Sequence, residues 1–207
     1  TKLPSRLGII GAGPIGSEMS QAFARLGSCV SLFEMTGHVL PREDPDAAEI
    51  VQKSMEADGI DLQLATNVIR VEQDGTKISV HFERLGEIYV QTFDQLLVTV
   101  GRAPNTENLG LEAAGIECGP EGVTINDRLQ TTNSKVFACG DVASAHKFTH
   151  VADAQARIVI KNALFFGRSH SSELVVPWCT HTSPEIAHVG LYEQDALDLG
   201  YKVDTLT

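Results

Sequence analysis

The sequence predicts an α/β fold, with a parallel sheet, flanking helices and a three-stranded β-meander. Three observations support this fold class: short apolar runs that stop at glycines, a helical apolar period after the first run, and a later change to a period of two. The chain has 207 residues, of which 43% are hydrophobic and 21% are charged. This composition is ordinary for one large or two small globular domains.

The first 34 residues predict a strand, a tight turn, a helix and a second strand. Residues 7–10 form an apolar run that stops at glycine, as a buried parallel strand does. Apolar residues then recur at helical spacing over 15–26, and Gly27 suits a helix stop. A second apolar run, 30–33, ends in Glu34.

A second helix and a meander are predicted next. Asp44 as a capping residue and Pro45 in the first turn predict a helix that stops near Gly59. The period then changes to two, which predicts strands joined by Asp74-Gly75 and Leu85-Gly86 turns. The predicted strands are 68–72, 78–82 and 88–92, followed by a buried return strand at 96–100.

The second half of the chain has weaker patterns. The predicted elements are short strands at 122–126 and 135–139, a helix at 151–166, a strand-like segment at 178–191 interrupted by Pro184, and a short helix at 192–199. The sequence contains no internal repeat and no low-complexity tract.

The charge balance excludes some classes of partner. The formal net charge is −11 and the pI is about 5.0, and the sequence has no cluster of Lys and Arg. We therefore expect no nucleic-acid partner and no membrane surface. No apolar stretch approaches the roughly 18 residues of a membrane span, and no signal-like segment opens the chain. The expected location is the cytoplasm.

The cysteines predict neither a redox pair nor a zinc site. Cys29, Cys118, Cys139 and Cys179 form no C-x-x-C or C-x4-C pair, and their spacing matches no zinc motif. Their small or apolar neighbours predict four buried, reduced thiols. His146 and His150 lie four residues apart without a nearby third ligand, so no metal site is expected.

A glycine motif follows the first predicted strand and opens the first helix. In Gly11-Ala12-Gly13-Pro14-Ile15-Gly16, the first glycine permits a tight turn, the second lets a pyrophosphate approach the backbone, and the third lets helix and strand pack closely. The helix amides and dipole then favour phosphate binding. The alternative is a tight turn that binds no ligand.

Glu34 lies 23 residues after Gly11, at the end of the second predicted strand. A carboxylate in this position accepts hydrogen bonds from the adenosine ribose, and it repels a 2′-phosphate. Two like charges about 4 Å apart cost on the order of 4 kcal/mol at a surface-like dielectric. The prediction is therefore NAD rather than NADP, and the alternative is a solvated surface glutamate.

Three motifs in register resemble a known family. They are GAGPIGSE at 11–18, GRAPN at 101–105 and VFACGD at 136–141. Together they are similar to the class I pyridine nucleotide-disulfide oxidoreductases, the family of dihydrolipoamide dehydrogenase, glutathione reductase and mercuric reductase. Residues 40–45 and 176–191 look most like its mercuric-reductase-like and dihydrolipoamide dehydrogenase branches.

The resemblance implies a division into three domains. It implies a Rossmann-like NAD-binding domain at 1–104, the C-terminal part of a split FAD-binding domain at 105–168, and the start of an α+β dimerisation domain at 169–207. The parent is then a homodimer, and the chain an internal piece of it. The redox cysteine pair is expected before Thr1, and the His-Glu acid/base pair after Thr207.

The resemblance also assigns cofactor contacts to particular residues, and no catalytic residue lies among them. The positions that contact NAD are Gly11, Ala12, Gly13, Pro14, Ile15, Gly16, Glu18, Glu34, Val68, Gly101 and Arg102. Glu18 also matches a carboxylate that lies near the flavin in the family. For FAD the positions are Gly140, Asp141, Thr149 and His150. For Asp141 the alternative is a turn-forming aspartate, and for His150 a helix-start histidine without a ligand.

The expected function is that of an NADH-dependent flavoprotein which reduces a small-molecule or protein-bound disulfide, or a metal ion. Two alternatives stay open: an FAD/NAD oxidoreductase without the dithiol, such as a transhydrogenase or NADH oxidase, and a non-catalytic NAD-binding regulatory module. We expect this chain alone to bind NAD weakly, to hold no FAD stably and to be inactive. Because 105–168 leaves an apolar face and open strand edges, we expect the chain either to self-associate there or to be poorly ordered there.

Overall fold

The computed structural model describes residues 2–206, which divide into two compact units: the chain up to Val100 together with the chain from Pro177 onward, and Gly101–Val176. In chain order the elements are β1 (Arg6–Ile10), α1 (Pro14–Arg25), β2 (Cys29–Phe33), α2 (Pro45–Ala57), β3 (Asp61–Gln63), β4 (Asn67–Asp74), β5 (Lys77–Arg84), β6 (Glu87–Phe93), β7 (Gln95–Val98), β8 (Cys118–Gly119), β9 (Gly122–Val123), α3 (Thr149–Leu164), β10 (Pro177–Thr180), β11 (Ile186–Val189) and α4 (Glu193–Asp198). Short 3-10 helices cover Gly140–Val142 and Ser171–Glu173.

The first unit contains the predicted parallel sheet. Its strand order is β3-β2-β1-β7, and β1 lies in the middle with parallel neighbours on both sides. Strand β3 was not predicted, because its three residues are too few to show a period. One apolar core packs the sheet against α1 and α2, with Ile9, Leu32, Val51 and Met55 fully buried.

The predicted meander is confirmed as an antiparallel sheet of order β4-β5-β6. Leu85 and Gly86 both have positive φ, 53° and 80°, which is the conformation of a tight hairpin turn. A second core lies under this sheet, where the Phe33 ring packs 5.0 Å from Phe82 and 5.9 Å from Phe93. The meander therefore shares an aromatic core with the end of β2.

The segment 178–191 forms the antiparallel β10–β11 hairpin, and it belongs to the first unit. The buried carboxylate of Glu43 accepts hydrogen bonds from Trp178 Nε1 at 3.1 Å and from Tyr192 Oη at 3.0 Å. The imidazole of His188 stacks on both of those rings, with ring centroids 4.3 and 3.9 Å away. One buried carboxylate and a ring stack thus hold the hairpin in place.

Strand predictions in the second unit were too long. Gly122–Val123 pairs as a strand with Cys118–Gly119, while Ile125 and Phe137 make only isolated bridges, to Thr131 and Gln130. Asn126 Oδ1 accepts backbone N–H bonds from Arg128 and Gln130. Such local side-chain bonds compete with strand pairing, which is why the extended segments stop early.

Helix positions were predicted to within a few residues. Helix α3 begins at Thr149 and ends at Leu164, so the predicted end at 166 was wrong. Phe166 instead has a φ of 53° and is almost fully exposed. Asp44 occupies the N-cap position of α2, but its side chain makes no capping hydrogen bond. That detail of the cap was also wrong.

The four cysteines are unpaired, but they are not buried as expected. Cys29 and Cys118 are exposed, and Cys139 and Cys179 are half-buried. Each exposed cysteine begins a strand, at a position where the chain enters the sheet from the surface. Apolar neighbours in sequence therefore misled the prediction. Among residues 2–206, no helix has the length and apolarity to cross a membrane.

The proposed domain boundaries at 104 and 168 follow the family's domain order, whereas compactness divides the chain after Val100 and after Val176. The three-domain division stays a prediction.

Candidate functional site

The turn after β1 is held by backbone contacts. Gly11 has a φ of 97°, which an L side chain rarely adopts. Its amide donates to Phe33 O at 2.8 Å, and a Cβ added to it would lie 2.9 Å from Thr99 O. Thr99 Oγ1 lies 2.9 Å from Ile10 O and 2.8 Å from Gly11 O. The Thr99 hydroxyl group thus stabilises the turn, a role that no sequence pattern indicates.

The other two glycines of the motif have different surroundings. A Cβ on Gly16 would lie only 1.9 Å from Gly11 O, so close packing of helix on strand requires glycine there. A Cβ on Gly13 would have no protein atom within 4 Å, and its φ of −67° suits any residue. The protein itself therefore gives no reason for glycine at position 13. An open space above the start of α1 is what a bound phosphate group requires.

The Glu34 carboxylate lies directly beside this turn. One of its oxygens, Oε2, accepts the Ala12 amide at 2.8 Å, and the other accepts the Thr36 amide at 3.0 Å. Glu34 is half-buried at the end of β2. Oε1 also lies 3.2 Å from Thr36 Oγ1, so the acceptor capacity that remains is on Oε2, where a ribose hydroxyl group can still bond. The structure thus brings together the glycine turn and the acid that the sequence pairs.

A shallow depression adjoins Glu34 at the same edge of the sheet. Thr66, in the lining of this depression, is bonded to Glu34, because the Thr66 amide donates to the Glu34 backbone carbonyl at 2.9 Å. Val68 lies on β4 and packs inward, against the aromatic core. The lining residues are Met35, Ala65, Thr66, Asn67, Glu83 and Leu85.

The remaining predicted residues of the first helix differ in their surroundings. Pro14 and Ile15 are exposed at the start of α1, close to the open space above Gly13. Glu18, one turn later, accepts the His181 amide on Oε1 at 2.8 Å. Glu18 therefore ties α1 to the β10–β11 hairpin.

In the second unit, two of the predicted residues form an ion pair. Arg102 Nη1 lies 3.6 Å from Asp141 Oδ2, and both side chains are more than half exposed. Arg102 also donates to Lys147 O at 3.0 Å. Gly140 has a φ of 76°, and its buried amide donates to Gln155 Oε1 at 2.8 Å. Gly101 also has a positive φ, 129°, so both motifs of this unit make sharp backbone turns.

Thr149 and His150 lie in the first turn of α3, as predicted, and both are exposed. The His150 ring stacks on Phe148, with centroids 5.4 Å apart and planes at 17°. Because α3 has sixteen residues and no acid in its first turn, its N-terminus has the positive potential that favours an anionic group.

A cluster on the hairpin was not anticipated. Ligand atoms of Cys179, His181 and Glu185 lie within 4.8 Å of one another. The sequence spacing did not reveal it, because Glu185 joins the other two only when the hairpin folds back.

Comparison with known proteins defines the family. The profile of the pyridine nucleotide-disulphide oxidoreductases matches residues 1–156, and the chain belongs to this family. A mercuric reductase of Staphylococcus aureus is 39% identical over 205 residues, which are 99% of this chain and 38% of that protein. A dihydrolipoyl dehydrogenase of Thermus scotoductus is 36% identical, over 97% of this chain and 44% of its own length.

A solved structure has the same fold. The HOCl-induced flavoprotein disulfide reductase RclA of Escherichia coli superimposes with a TM-score of 0.86 at 33% identity, over 95% of this chain and 45% of that one. The mixed α/β fold with its parallel sheet is thus that of a flavoprotein disulfide reductase. The chain spans less than half the length of each of these relatives.

Proposed function

We propose that this chain is the NAD(H)-binding portion of an FAD-dependent NADH:disulfide oxidoreductase of the dihydrolipoamide dehydrogenase or mercuric-reductase-like type. The observation that carries the proposal is the contrast between two glycines. Gly16 is required by packing, whereas Gly13 faces open space at the start of α1. A ligand that approaches the backbone closely explains glycine at position 13, and the fold does not.

The turn fits a pyrophosphate. The first amides of a helix have no intrahelical partner, and Gly13 has no side chain that could cap them. Those amides and the helix dipole bind the diphosphate, while Gly11 and Thr99 hold the turn in shape. Pro14 removes one donor that would be unpaired in any case.

The acid and the depression beside it fit an adenosine. In the proposed complex Glu34 accepts hydrogen bonds from the ribose diol, and the adenine lies in the depression between Met35 and Leu85. A 2′-phosphate would meet the Glu34 carboxylate, and the side chains of Met35 and Thr36 offer no positive charge to offset it. NAD is therefore the proposed dinucleotide.

The second unit supplies residues to the FAD side. Asp141 is a half-exposed acceptor next to a sharp glycine turn, and the start of α3 favours negative charge. We assign Gly140, Asp141, Thr149 and His150 to contacts with FAD. We assign Gly101 and Arg102 to contacts with NAD. When bound, the cofactors supply hydride transfer from NADH to flavin and electron transfer to a dithiol that this chain does not contain. The proposed acceptor is a disulfide or a metal ion, and the proposed assembly is a homodimer.

Calorimetric titration with NADH and NADPH tests the proposal. We expect tighter binding of NADH, and we expect Glu34→Gln to weaken it at least about tenfold, because a hydrogen bond to a charged group contributes roughly 1.5–3 kcal/mol. The same variant should bring the affinities for NADH and NADPH close together, since it removes the repulsive charge. Glu49→Gln, at an exposed acid on α2, is the matched control and should change neither affinity. Absence of NADH binding, or tighter binding of NADPH by the unaltered protein, would refute the proposal.

A further inference from the structure

The β10–β11 hairpin places three potential metal ligands together. Cys179 is in β10 and His181 follows two residues later, so their side chains leave the same side of the extended chain. Glu185 precedes β11 and returns to the same place across the turn. Cys179 Sγ lies 3.6 Å from His181 Nδ1, which lies 3.4 Å from Glu185 Oε1.

These separations match the edges of a metal tetrahedron. With a metal–sulfur bond of about 2.3 Å and a metal–nitrogen bond of about 2.05 Å, a tetrahedral angle puts sulfur and nitrogen about 3.6 Å apart. The same calculation puts nitrogen and a carboxylate oxygen about 3.4 Å apart. Two of the three separations thus fit one small cation, and the third, between Cys179 Sγ and the Glu185 carboxylate, lies within 4.8 Å and has to approach about 3.6 Å.

The electrostatics of the cluster also favour a cation. Besides Glu185, the Glu18 carboxylate is close, since its Oε1 accepts the His181 amide at 2.8 Å. Among residues 2–206, no Lys or Arg forms an ion pair with either acid. Burial, and then the charges of Glu185 and Glu18, raise the pKa of the Cys179 thiol. A bound metal ion reverses that effect, because it stabilises the thiolate directly.

We propose that Cys179, His181 and Glu185 bind a thiophilic divalent cation of the zinc type, with the fourth coordination position open. A thiolate and an imidazole favour zinc over magnesium or calcium, which prefer oxygen ligands. The hydrogen bond from the His181 amide to Glu18 orients the backbone of the central ligand. The sequence predicted no metal site because Glu185, just before β11, meets the other two ligands only after the chain has turned back.

Cobalt substitution tests the site. After treatment with a chelator and a reductant, the protein is titrated with Co²⁺, and Zn²⁺ is then added in competition. We expect a thiolate-to-cobalt charge-transfer band and the visible bands of a tetrahedral ion, all of which Zn²⁺ abolishes. Cys179→Ser should remove the charge-transfer band, and His181→Ala and Glu185→Gln should each weaken Zn²⁺ binding at least about tenfold. Cys29→Ser is the matched control, at an exposed cysteine of the same unit, and it should change nothing.

A second measurement uses the unaltered protein and so does not depend on any variant folding. Zn²⁺ should slow alkylation of Cys179, measured by peptide mass spectrometry, and leave alkylation of Cys29 unchanged. A missing charge-transfer band, a band that persists in Cys179→Ser, or equal alkylation of Cys179 with and without Zn²⁺ would each overturn the proposal. NADH binding, measured in parallel, stays normal in all three ligand variants, so failure of this site is distinguishable from failure of the proposed function.

Discussion

The two glycine turns predicted to bind cofactors are built in different ways. In the first unit the turn at Gly11 and Gly16 is held by the strands around it, since Gly11 N donates to Phe33 O at 2.8 Å and the Thr99 hydroxyl group lies 2.8 Å from Gly11 O. In the second unit the amide of Gly140 is held by a side chain, Gln155, from helix α3. The first turn thus depends on the sheet, and the second on a single buried amide group.

The same contrast extends to the whole of each unit. Both apolar clusters of the described residues lie in the first unit. The second unit instead joins its loops through side-chain hydrogen bonds to backbone atoms, as in Asn162 to Ser169 and Asp127 to Ser172. Such bonds are individually worth about 1 kcal/mol, and each depends on both partners being present. We therefore expect the loss of a polar side chain to destabilise the first unit less than the second.

The largest expected effect is at Gly16. The Cβ of Gly16→Ala would lie 1.9 Å from Gly11 O, so helix and strand must separate. We expect a loss of about 3 kcal/mol in the free energy of unfolding, typical of overpacking against rigid atoms, together with loss of NADH binding. Urea unfolding and calorimetry measure the two effects.

Gly13→Ala is the matched control, because its Cβ meets no protein atom. It should leave the free energy of unfolding unchanged within about 0.5 kcal/mol but still weaken NADH binding. Equal stability losses in the two variants would show that both glycines serve packing alone.

An intermediate effect is expected at Gln155, which is 4% exposed. Gln155→Leu keeps the side-chain volume but leaves the buried Gly140 amide without its acceptor. The expected loss is about 2 kcal/mol, with faster hydrogen exchange at Gly140. Arg157→Gln on the same helix removes only an exposed ion pair with Asp153 and should cost at most about 0.5 kcal/mol. If the two variants were equally stable, the second turn would not depend on its side-chain acceptor.

The smallest expected effect is the pH dependence of the hydrogen bonds at Asp127. Hydrogen bonds from Ser172, and then from His170, lower the pKa of Asp127 in the folded protein. Because the folded pKa lies below the unfolded value of about 3.9, this contribution is present above the unfolded pKa and is lost as the pH falls through the folded one. The protection factor of the Ser172 amide, which is the hydrogen-exchange rate of an unfolded chain divided by that of the folded protein at the same pH, should therefore fall on acidification below about pH 4. Asp127→Asn should remove that dependence, and a wild-type exchange profile in this variant would contradict the assignment.

The predicted elements that are confirmed are those whose structure depends on a local sequence pattern. The apolar run at 7–10 stops at a glycine motif, the helix after Gly13 and the meander each show a period over several residues, and all three are confirmed. Strand β3 and the pairs of the second unit are two or three residues long. Their positions depend on partners elsewhere in the chain, and no local period marks them.

By itself, the sequence determined the family, the parallel α/β sheet and the pairing of a glycine turn with Glu34, because these depend on motifs of fixed spacing within one strand–helix–strand unit. Only the tertiary structure decided that Gly16 is required by packing and Gly13 is not, since the answer depends on which atoms a Cβ would meet. It also decided that Thr99 closes the turn and that Glu185 joins Cys179 and His181. These contacts depend on the path of the folded backbone, and Thr99 also comes from a segment 88 residues after Gly11.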